Sequence, residues 1–161
     1  MTTGLRVGLG VDAHRFAPGR ACMIGLVQFD HPEGPLGHSD GDVVAHSLCD
    51  ALLSAAGLPD IGALFPPGDP EWEGASGRLL LGLVMRRIRE AGLSVLNAHI
   101  VVMCEAPRVS RLRESMEDAL SAVVGARVTV HATTTEKMGA LGRGEGIAAQ
   151  AVALLSGAPD R

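Results

Sequence analysis

Residues 6–14 read Arg6-Val7-Gly8-Leu9-Gly10-Val11-Asp12-Ala13-His14. Val7, Leu9, Val11 and Ala13 fall on one side, while Arg6, Gly8, Gly10, Asp12 and His14 fall on the other. Period two is the signature of a strand. Such a strand puts Asp12 and His14 on one face, about 7 Å apart at the usual rise per residue, so the two side chains can converge on one ion. Further along stands His46, inside His38-Ser39-Asp40-Gly41-Asp42-x-x-x-His46. One carboxylate and two imidazoles form a three-ligand set for a divalent metal such as zinc, with the fourth tetrahedral position open as a catalytic site requires. A structural alternative stands beside this reading: a strand Asp–His pair, and a helix histidine satisfied by Asp42 or Asp50.

Working outward, residues 22–29 read as a second short strand region around Gly25, and 31–37, rich in Pro and Gly, as a loop. Residues 42–56 predict a helix, capped by Ser39 or Asp40 and ended by Gly57. Its apolar face is Val44, Leu48, Ala51, Leu52 and Ala55, and Asp42, His46 and Asp50 form a polar stripe at i, i+4, i+8. Residues 58–74 are irregular. Ser76 caps a helix running to Ala91 and stopped by Gly92, with Leu80, Val84 and Ile88 inward. Residues 93–103 alternate as a long strand. Residues 110–124 predict a helix with Leu112, Met116, Ala119, Leu120 and Val123 inward, and 127–132 a strand. A hydroxyl- and glycine-rich segment spans 133–146, and 147–155 predict a closing helix. Strands alternating with helices imply one domain over residues 1–161, with helices covering one sheet face.

The 161 residues suffice for a hydrophobic core. Aromatics are 2% of the chain, so the core must be aliphatic, and stacking platforms for single-stranded nucleic acid are lacking. A net charge of −4 gives no basic footprint for DNA or RNA. Cys22, Cys49 and Cys104 form neither a metal pattern nor a disulfide framework, which fits a reducing, cytoplasmic location. The N-terminus lacks the apolar stretch of a signal peptide, and no run of about 18 apolar residues predicts a membrane span.

The remaining motifs read in two ways. His38-Ser39-Asp40-Gly41-Asp42 is a turn and helix cap. Amides at a helix start also hold phosphate, and His38 beside them could donate to an oxyanion. Thr133-x-x-Glu136 matches a capping box. The hydroxyls of Thr133, Thr134 and Thr135 with the Glu136 carboxylate also suit phosphate plus magnesium. Glu105-Ala106-Pro107-Arg108, Asp60-Ile61-Gly62 and Phe65-Pro66-Pro67-Gly68-Asp69 read as loops, the latter pair as a lid. Residues 139–146 are not a Walker loop, because GxxxxGK[ST] is absent.

Taken together, these segments resemble the 2-C-methyl-D-erythritol 2,4-cyclodiphosphate synthase family of the non-mevalonate isoprenoid pathway. The resemblance spans roughly residues 5–156. It rests on Gly10-Val11-Asp12-Ala13-His14, on His38-Ser39-Asp40-Gly41-Asp42 leading to His46, and on Asp60-Ile61-Gly62 with Phe65-Pro66. Ala106-Pro107, Ala132-Thr133-Thr134-Thr135-Glu136-Lys137 and Gly142-Arg143-Gly144-Glu145-Gly146 complete it. It implies an α+β fold: a mixed β-sheet with helices on one face, a two-layer sandwich related to the ferredoxin-like kind, assembling as a homotrimer with active sites between subunits. It implies a phosphorus–oxygen lyase in which the 2-phosphate of 4-diphosphocytidyl-2-C-methyl-D-erythritol 2-phosphate attacks the β-phosphorus and releases CMP.

The resemblance also implies roles. Asp12, His14 and His46 become ligands of zinc, though manganese or cobalt suits the same set. Glu136 becomes the protein ligand of a magnesium or manganese ion shared with the diphosphate. His38 and Thr134 become transition-state stabilisers. Ser39, Asp60, Ile61 and Gly62, with Phe65 and Asp69 beside them, line the erythritol and 2-phosphate pocket. Cys104, Ala106, Pro107, Arg108, Ser110 and Thr133 hold cytidine, with Thr135 alongside. Two departures stand out. Arg108 replaces the usual Lys, a change that alters contact geometry. Ala140 replaces a Phe which, with the Arg matching Arg143, borders a central trimer cavity that binds isoprenoid diphosphates.

Overall fold

The computed structural model describes residues 4–157; residues 1–3, the start of the segment read as lacking a leader, and 158–161 lie outside it. The opening strand is longer than its alternation suggested, covering Gly4–Pro18 (β1). Gly8 and Gly10 are buried, whereas Leu5, Val7, Leu9 and Val11 are 66%, 69%, 51% and 58% exposed. Two tight strands, Cys22–Ile24 (β2) and Val27–Phe29 (β3), form a hairpin. Its two turn residues, Gly25 and Leu26, both have positive φ (60° and 67°), the backbone of a type I′ turn. The segment 31–37, expected as loop, contains Glu33–Pro35 (β4), which pairs with the end of β1.

The first helix is Val43–Ala56 (α1). It is capped by Asp42, not by Ser39 or Asp40: the Asp42 carboxylate accepts from the amides of Val44 and Ala45, both at 3.1 Å. Asp40 instead accepts from Asp42 N at 3.1 Å and from Gly77 N at 2.8 Å, linking the turn to the start of a later helix. Gly57 ends α1 in the left-handed conformation, as expected. The polar stripe does not face solvent. Asp42 and His46 are buried, because α1 lies between the sheet and a neighbouring helix. That neighbour is Gly77–Glu90 (α3), capped by Ser76 as its sequence indicated. Between them, the irregular region contains one short helix, Ile61–Leu64 (α2), and a 3-10 turn at Pro70–Trp72.

Ser94–Met103 (β5), Arg113–Val124 (α4, preceded by a 3-10 turn at Val109–Leu112) and Arg127–Thr133 (β6) follow the expected order. A single helical turn, Gly139–Gly142 (α5), stands before the last element. That last element is a strand, Gly146–Gly157 (β7), where the alanine-rich sequence suggested a helix. Its burial has period two: Ile147, Ala149, Ala151, Ala153 and Leu155 face the core, while Gln150 and Val152 face outward. Alanine's helix preference is a weak prior that tertiary pairing overrides. Here β7 pairs along most of its length with β1 on one side and β5 on the other.

The main sheet has the order β4-β1-β7-β5-β6. It is mixed, since β5 and β6 are parallel and the other pairs antiparallel. α1 covers β1 and β7, α4 covers β6, and α3 packs on both helices. The core between the layers is aliphatic, including Leu48, Leu52, Leu81, Ile88, Ile100, Met116, Leu120, Ile147 and Leu155, each fully buried. A completely buried side chain of this size contributes about 1.5–3 kcal/mol. The fold is therefore α+β with helices on one face, as anticipated. Among the described residues no helix is long and apolar enough to cross a membrane.

Candidate metal and phosphate site

Asp12 and His14 continue the inward row begun by Gly8 and Gly10 on β1, and His46 lies in the second turn of α1. The two elements meet closely because Gly8 and Gly10 carry no side chain. A Cβ on either would stand 2.0 Å from a carbonyl oxygen of α1, that of Ala51 or Ser47. The result is a three-residue cluster: ligand atoms of Asp12, His14 and His46 lie within 4.8 Å of one another. Asp12 Oδ2 is 3.0 Å from His14 Nε2 and 3.1 Å from His46 Nδ1.

The partners of the other ring nitrogens favour metal binding over the purely structural alternative. His14 Nδ1 lies 2.7 Å from the Leu36 carbonyl oxygen, so it carries the proton and leaves Nε2 with a free lone pair. His14 Nε2 is buried and has no aligned hydrogen-bond partner among the described residues, despite its closeness to Asp12. His46 Nε2 lies 3.0 Å from Ser39 Oγ, which frees Nδ1 in the same way when Nε2–H is the donor. A backbone or hydroxyl partner on the far nitrogen is the usual support for a metal-binding imidazole. Burial alone would raise the Asp12 pKa, but the close approach of the His14 and His46 rings holds it well below the usual carboxylate range. His14 is raised, chiefly by Asp12. An ionised carboxylate and two inward imidazole nitrogens fit a tetrahedral divalent ion.

Deeper support comes from Asp42. Besides capping α1, its carboxylate accepts from Gly25 N at 2.9 Å and Leu26 N at 2.7 Å. Burial pushes its pKa up, while the hydrogen bond from Leu26, then those from Ala45 and Gly25, pull it back. One carboxylate thus ties the hairpin to the start of the helix bearing His46. The sequence placed Asp42 in the turn-and-cap motif and in the polar stripe, without a sign that its carboxylate also serves the hairpin.

The cluster opens into a hollow of about 240 Å³, also lined by His38, Ser39, Ile61, Gly62 and Phe65. Three further residues complete its wall: Pro67, Trp72 and Leu80. Trp72 was not singled out in the sequence, although it is the sole Trp of the chain; its ring meets Phe65 edge-on at 4.9 Å. Asp60 does not line the hollow. It caps α2 by accepting from Ala63 N at 2.9 Å. Asp50, one turn beyond His46, accepts from Ile61 N at 2.9 Å and fixes the start of that helix. Asp69 contributes its carbonyl, 3.2 Å from His38 Nε2.

The other expected residues gather elsewhere. Cys104, Pro107, Arg108, Ser110, Thr133 and Thr134 line a second hollow of about 250 Å³, with Glu105, Val109 and Ala132. Ala106 precedes Pro107 through a cis peptide. Burial pushes the Cys104 thiol up to about 11. The capping-box reading of Thr133-x-x-Glu136 is not realised, because α5 begins only at Gly139 with Met138 as its cap. Thr135 Oγ1 instead donates to the Met138 carbonyl at 2.8 Å, and Thr134 Oγ1 accepts from Glu136 N at 3.2 Å. The Glu136 side chain is exposed. Ala140 sits on α5, and Arg143 pairs with Glu145 on the surface. The two hollows lie at the same end of the sheet but toward opposite edges, with β7 between β1 and β5. Two to three strand spacings put roughly 10–15 Å between them.

Comparison with known proteins gives one coherent set of matches. The YgbB family model matches residues 5–156. The 2-C-methyl-D-erythritol 2,4-cyclodiphosphate synthase of Xanthomonas axonopodis pv. citri is 48% identical over 159 residues, covering 96% of this chain and 95% of that protein. Among solved structures, the bifunctional IspDF of Campylobacter jejuni superimposes with a TM-score of 0.92 at 37% identity. That match covers 97% of this chain and 43% of the Campylobacter chain, so the chain corresponds to less than half of that larger protein. The Plasmodium falciparum IspF, solved as a CDP complex, superimposes with a TM-score of 0.84 at 28% identity over 99% of this chain and 100% of its own.

Proposed function

The chain belongs to the YgbB family, that of the 2-C-methyl-D-erythritol 2,4-cyclodiphosphate synthases, which are lyase-type enzymes, and from that premise we propose its reaction and the side chains that serve it. The substrate is 4-diphosphocytidyl-2-C-methyl-D-erythritol 2-phosphate. Its 2-phosphate oxygen attacks the β-phosphorus, the bond from that phosphorus to the α-phosphate oxygen breaks, and CMP leaves as the cyclic diphosphate closes. Nucleophile and leaving group belong to one molecule, so the protein needs no covalent nucleophile. Its tasks are folding the substrate into a reactive pose and offsetting charge.

The observation that carries this reading is the convergence of Asp12, His14 and His46, with the unpartnered His14 Nε2 among them. These three would hold a zinc or manganese ion, and the exposed Glu136 carboxylate a magnesium or manganese ion. Such cations supply positive charge to phosphate oxygens, which an acidic protein otherwise lacks. His38 and Ser39 face the erythritol and 2-phosphate end, with Ile61, Gly62 and Phe65 forming the wall beside them. Thr134 donates to the diphosphate. Cys104, Pro107, Arg108, Ser110 and Thr133 hold cytidine, and the likeness to a CDP complex supports a cytidine nucleotide as ligand.

We infer that the working unit is a homotrimer. One β-phosphate must lie near both Asp12 and Glu136, yet within a chain the strands that lead to them, β1 and β6, stand three strand spacings apart. A second copy would bring its β6 end to the first copy's β1 edge. The outward sheet face, with Leu5, Val7, Leu9, Val11 and Val152 exposed, suits burial between copies. Three free, buried cysteines suit a reducing cytoplasm.

The test is His46→Ala. The variant is expected to stay folded while losing bound zinc and CMP release; near-normal turnover would refute the assignment. Product analysis of the wild type separates the nearest rival, metal-assisted hydrolysis. A cyclic diphosphate with CMP supports the synthase, and a linear phosphate the hydrolase.

A further inference from the structure

Two consecutive residues in the turn after β6, Glu136 (φ 54°) and Lys137 (φ 65°), occupy the left-handed region. Neither is Gly, Asn or Asp, the residues that tolerate it. Such backbone persists only where the surroundings over-determine it, and it concentrates at functional sites. Inside the turn, Met138 N donates to the Thr135 carbonyl at 2.9 Å and Glu136 N to Thr134 Oγ1 at 3.2 Å, and Thr135 Oγ1 donates to the Met138 carbonyl at 2.8 Å; from outside the turn it is one side chain that reaches in. Glu105 Oε1 accepts from the Lys137 amide at 3.3 Å, and Glu105 Oε2 lies 3.0 Å from Lys137 Nζ. The Glu105 side chain is only 14% exposed, against 81% for Lys137, so the carboxylate is fixed and the lysine comes to it. Just before this turn, Cys104 N donates to the Thr133 carbonyl at 3.2 Å. The segment around Cys104 and the segment around Thr134 are thus joined at two successive points.

We propose that Glu105 is a positioning residue: its carboxylate holds the left-handed Glu136–Lys137 turn, and through it sets where Thr134 and Glu136 stand relative to the substrate's diphosphate. The inference rests on the proposed roles of Thr134 and Glu136. Glu105 itself touches no reacting atom. It borders the second hollow beside Cys104 and Pro107, and its carboxylate oxygens meet Lys137 of the turn. A shift of about 1 Å in groups that position a reactant costs on the order of 100-fold in rate.

The test compares full-length Glu105→Ala, Glu105→Gln and Glu105→Asp with wild type. Without any ligand, amide hydrogen exchange across 134–138 is expected to accelerate about 10-fold or more in Glu105→Ala. It should accelerate similarly in Glu105→Asp, whose shorter arm withdraws the acceptor. It should stay near wild type in Glu105→Gln, whose amide oxygen still accepts from Lys137 N. Turnover should follow the same order, with kcat reduced about 10- to 100-fold in the Ala and Asp variants. Half-saturating magnesium should rise in both, while cytidine affinity changes less than about twofold. Wild-type exchange in both impaired variants overturns the proposal. So does a Gln variant as impaired as Ala, or a loss confined to cytidine affinity. If exchange behaves as expected but the wild type releases no CMP from the proposed substrate, the functional reading fails while the hold of Glu105 on the turn stands.

Discussion

Gly10→Ala tests whether the metal cluster depends on the closeness of β1 and α1. A Cβ at position 10 would stand 2.0 Å from the Ser47 carbonyl oxygen and 2.6 Å from Ala51 N. Real Cβ atoms do not approach closer than 3.0 Å, so strand and helix must part by at least 1.0 Å (3.0 minus 2.0). Both opposing atoms are backbone, so no side-chain rotation can absorb the shift. Ser47 follows His46 directly, and Asp12 lies two residues beyond Gly10 on the same face. The 3.1 Å approach of Asp12 to His46 therefore opens to about 4 Å, several times the roughly 0.2 Å tolerance of metal–ligand distances. Loss of mere outer support for a ligand already costs about 10- to 100-fold in metal affinity, so a displaced ligand should reach at least the upper end. Overpacking should cost about 1–3 kcal/mol of stability, or roughly 2–12 °C in Tm for a chain of this size. The assays are zinc competition against a chromophoric chelator, thermal unfolding, and CMP release, expected to fall about 100-fold. A variant with wild-type zinc affinity and Tm would refute the idea that side-chain-free contact at Gly10 builds the site.

Gly82→Ala, inside α3 with open space around its would-be Cβ, should stabilise by about 0.5–1 kcal/mol and leave zinc affinity unchanged; chemical denaturation measures it. Asp42→Ala removes a helix cap worth about 0.5–2 kcal/mol and orphans the amides of Gly25 and Leu26, at about 1–3 kcal/mol each. It should fail to fold or melt far below wild type in calorimetry, and a Tm within a few degrees of wild type would contradict that role. Burial, then the neighbouring His131, holds the His99 pKa below its ordinary value, against the pull of Glu117. The unfolded chain then binds the proton more tightly, so the stabilisation is complete above about pH 6.5 and lost as pH falls through the folded value. His99→Asn should flatten the urea-midpoint profile between pH 5 and 7, and an unchanged slope would count against it. Leu9→Glu, on the exposed sheet face, should leave the chain folded but shift sedimentation from trimer to monomer; an intact trimer would move the interface elsewhere.

The legible parts of the fold were those where local pattern and tertiary demand agree. β1 announces itself by alternation, α3 by Ser76 at its start and Gly92 after its end, and β5 by a long period-two run. The Asp12–His14 half of the candidate metal site was legible because a strand of period two aligns the two side chains. That His46 faces them could not be read from spacing, since it depends on how α1 lies across the sheet. The cap of α1 was misplaced by two or three residues because Ser39, Asp40 and Asp42 are all good caps. What selects Asp42 is that its carboxylate also serves the hairpin at Gly25 and Leu26. Trp72 escaped notice because a wall formed by a loop folding back has no periodic signal.

The misreading of residues 147–155 and the geometry of the metal cluster have one cause. Across β1 and β7 the residues paired under α1 are Gly8 with Ala153, Gly10 with Ala151, and Asp12 with Ala149. This inner row is made of the smallest side chains, ending at the first ligand. A helix resting on such a row sits nearly on the backbone, which is why α1 is buried on almost every side and why its polar stripe is internal. The alanines that mimic a helix in sequence are therefore spacers in a strand, kept small so that α1 can descend. The descent brings His46 Nδ1 to 3.1 Å from Asp12. Larger side chains in that row would gain buried area and stability elsewhere, but they would lift the helix and its histidine off the site.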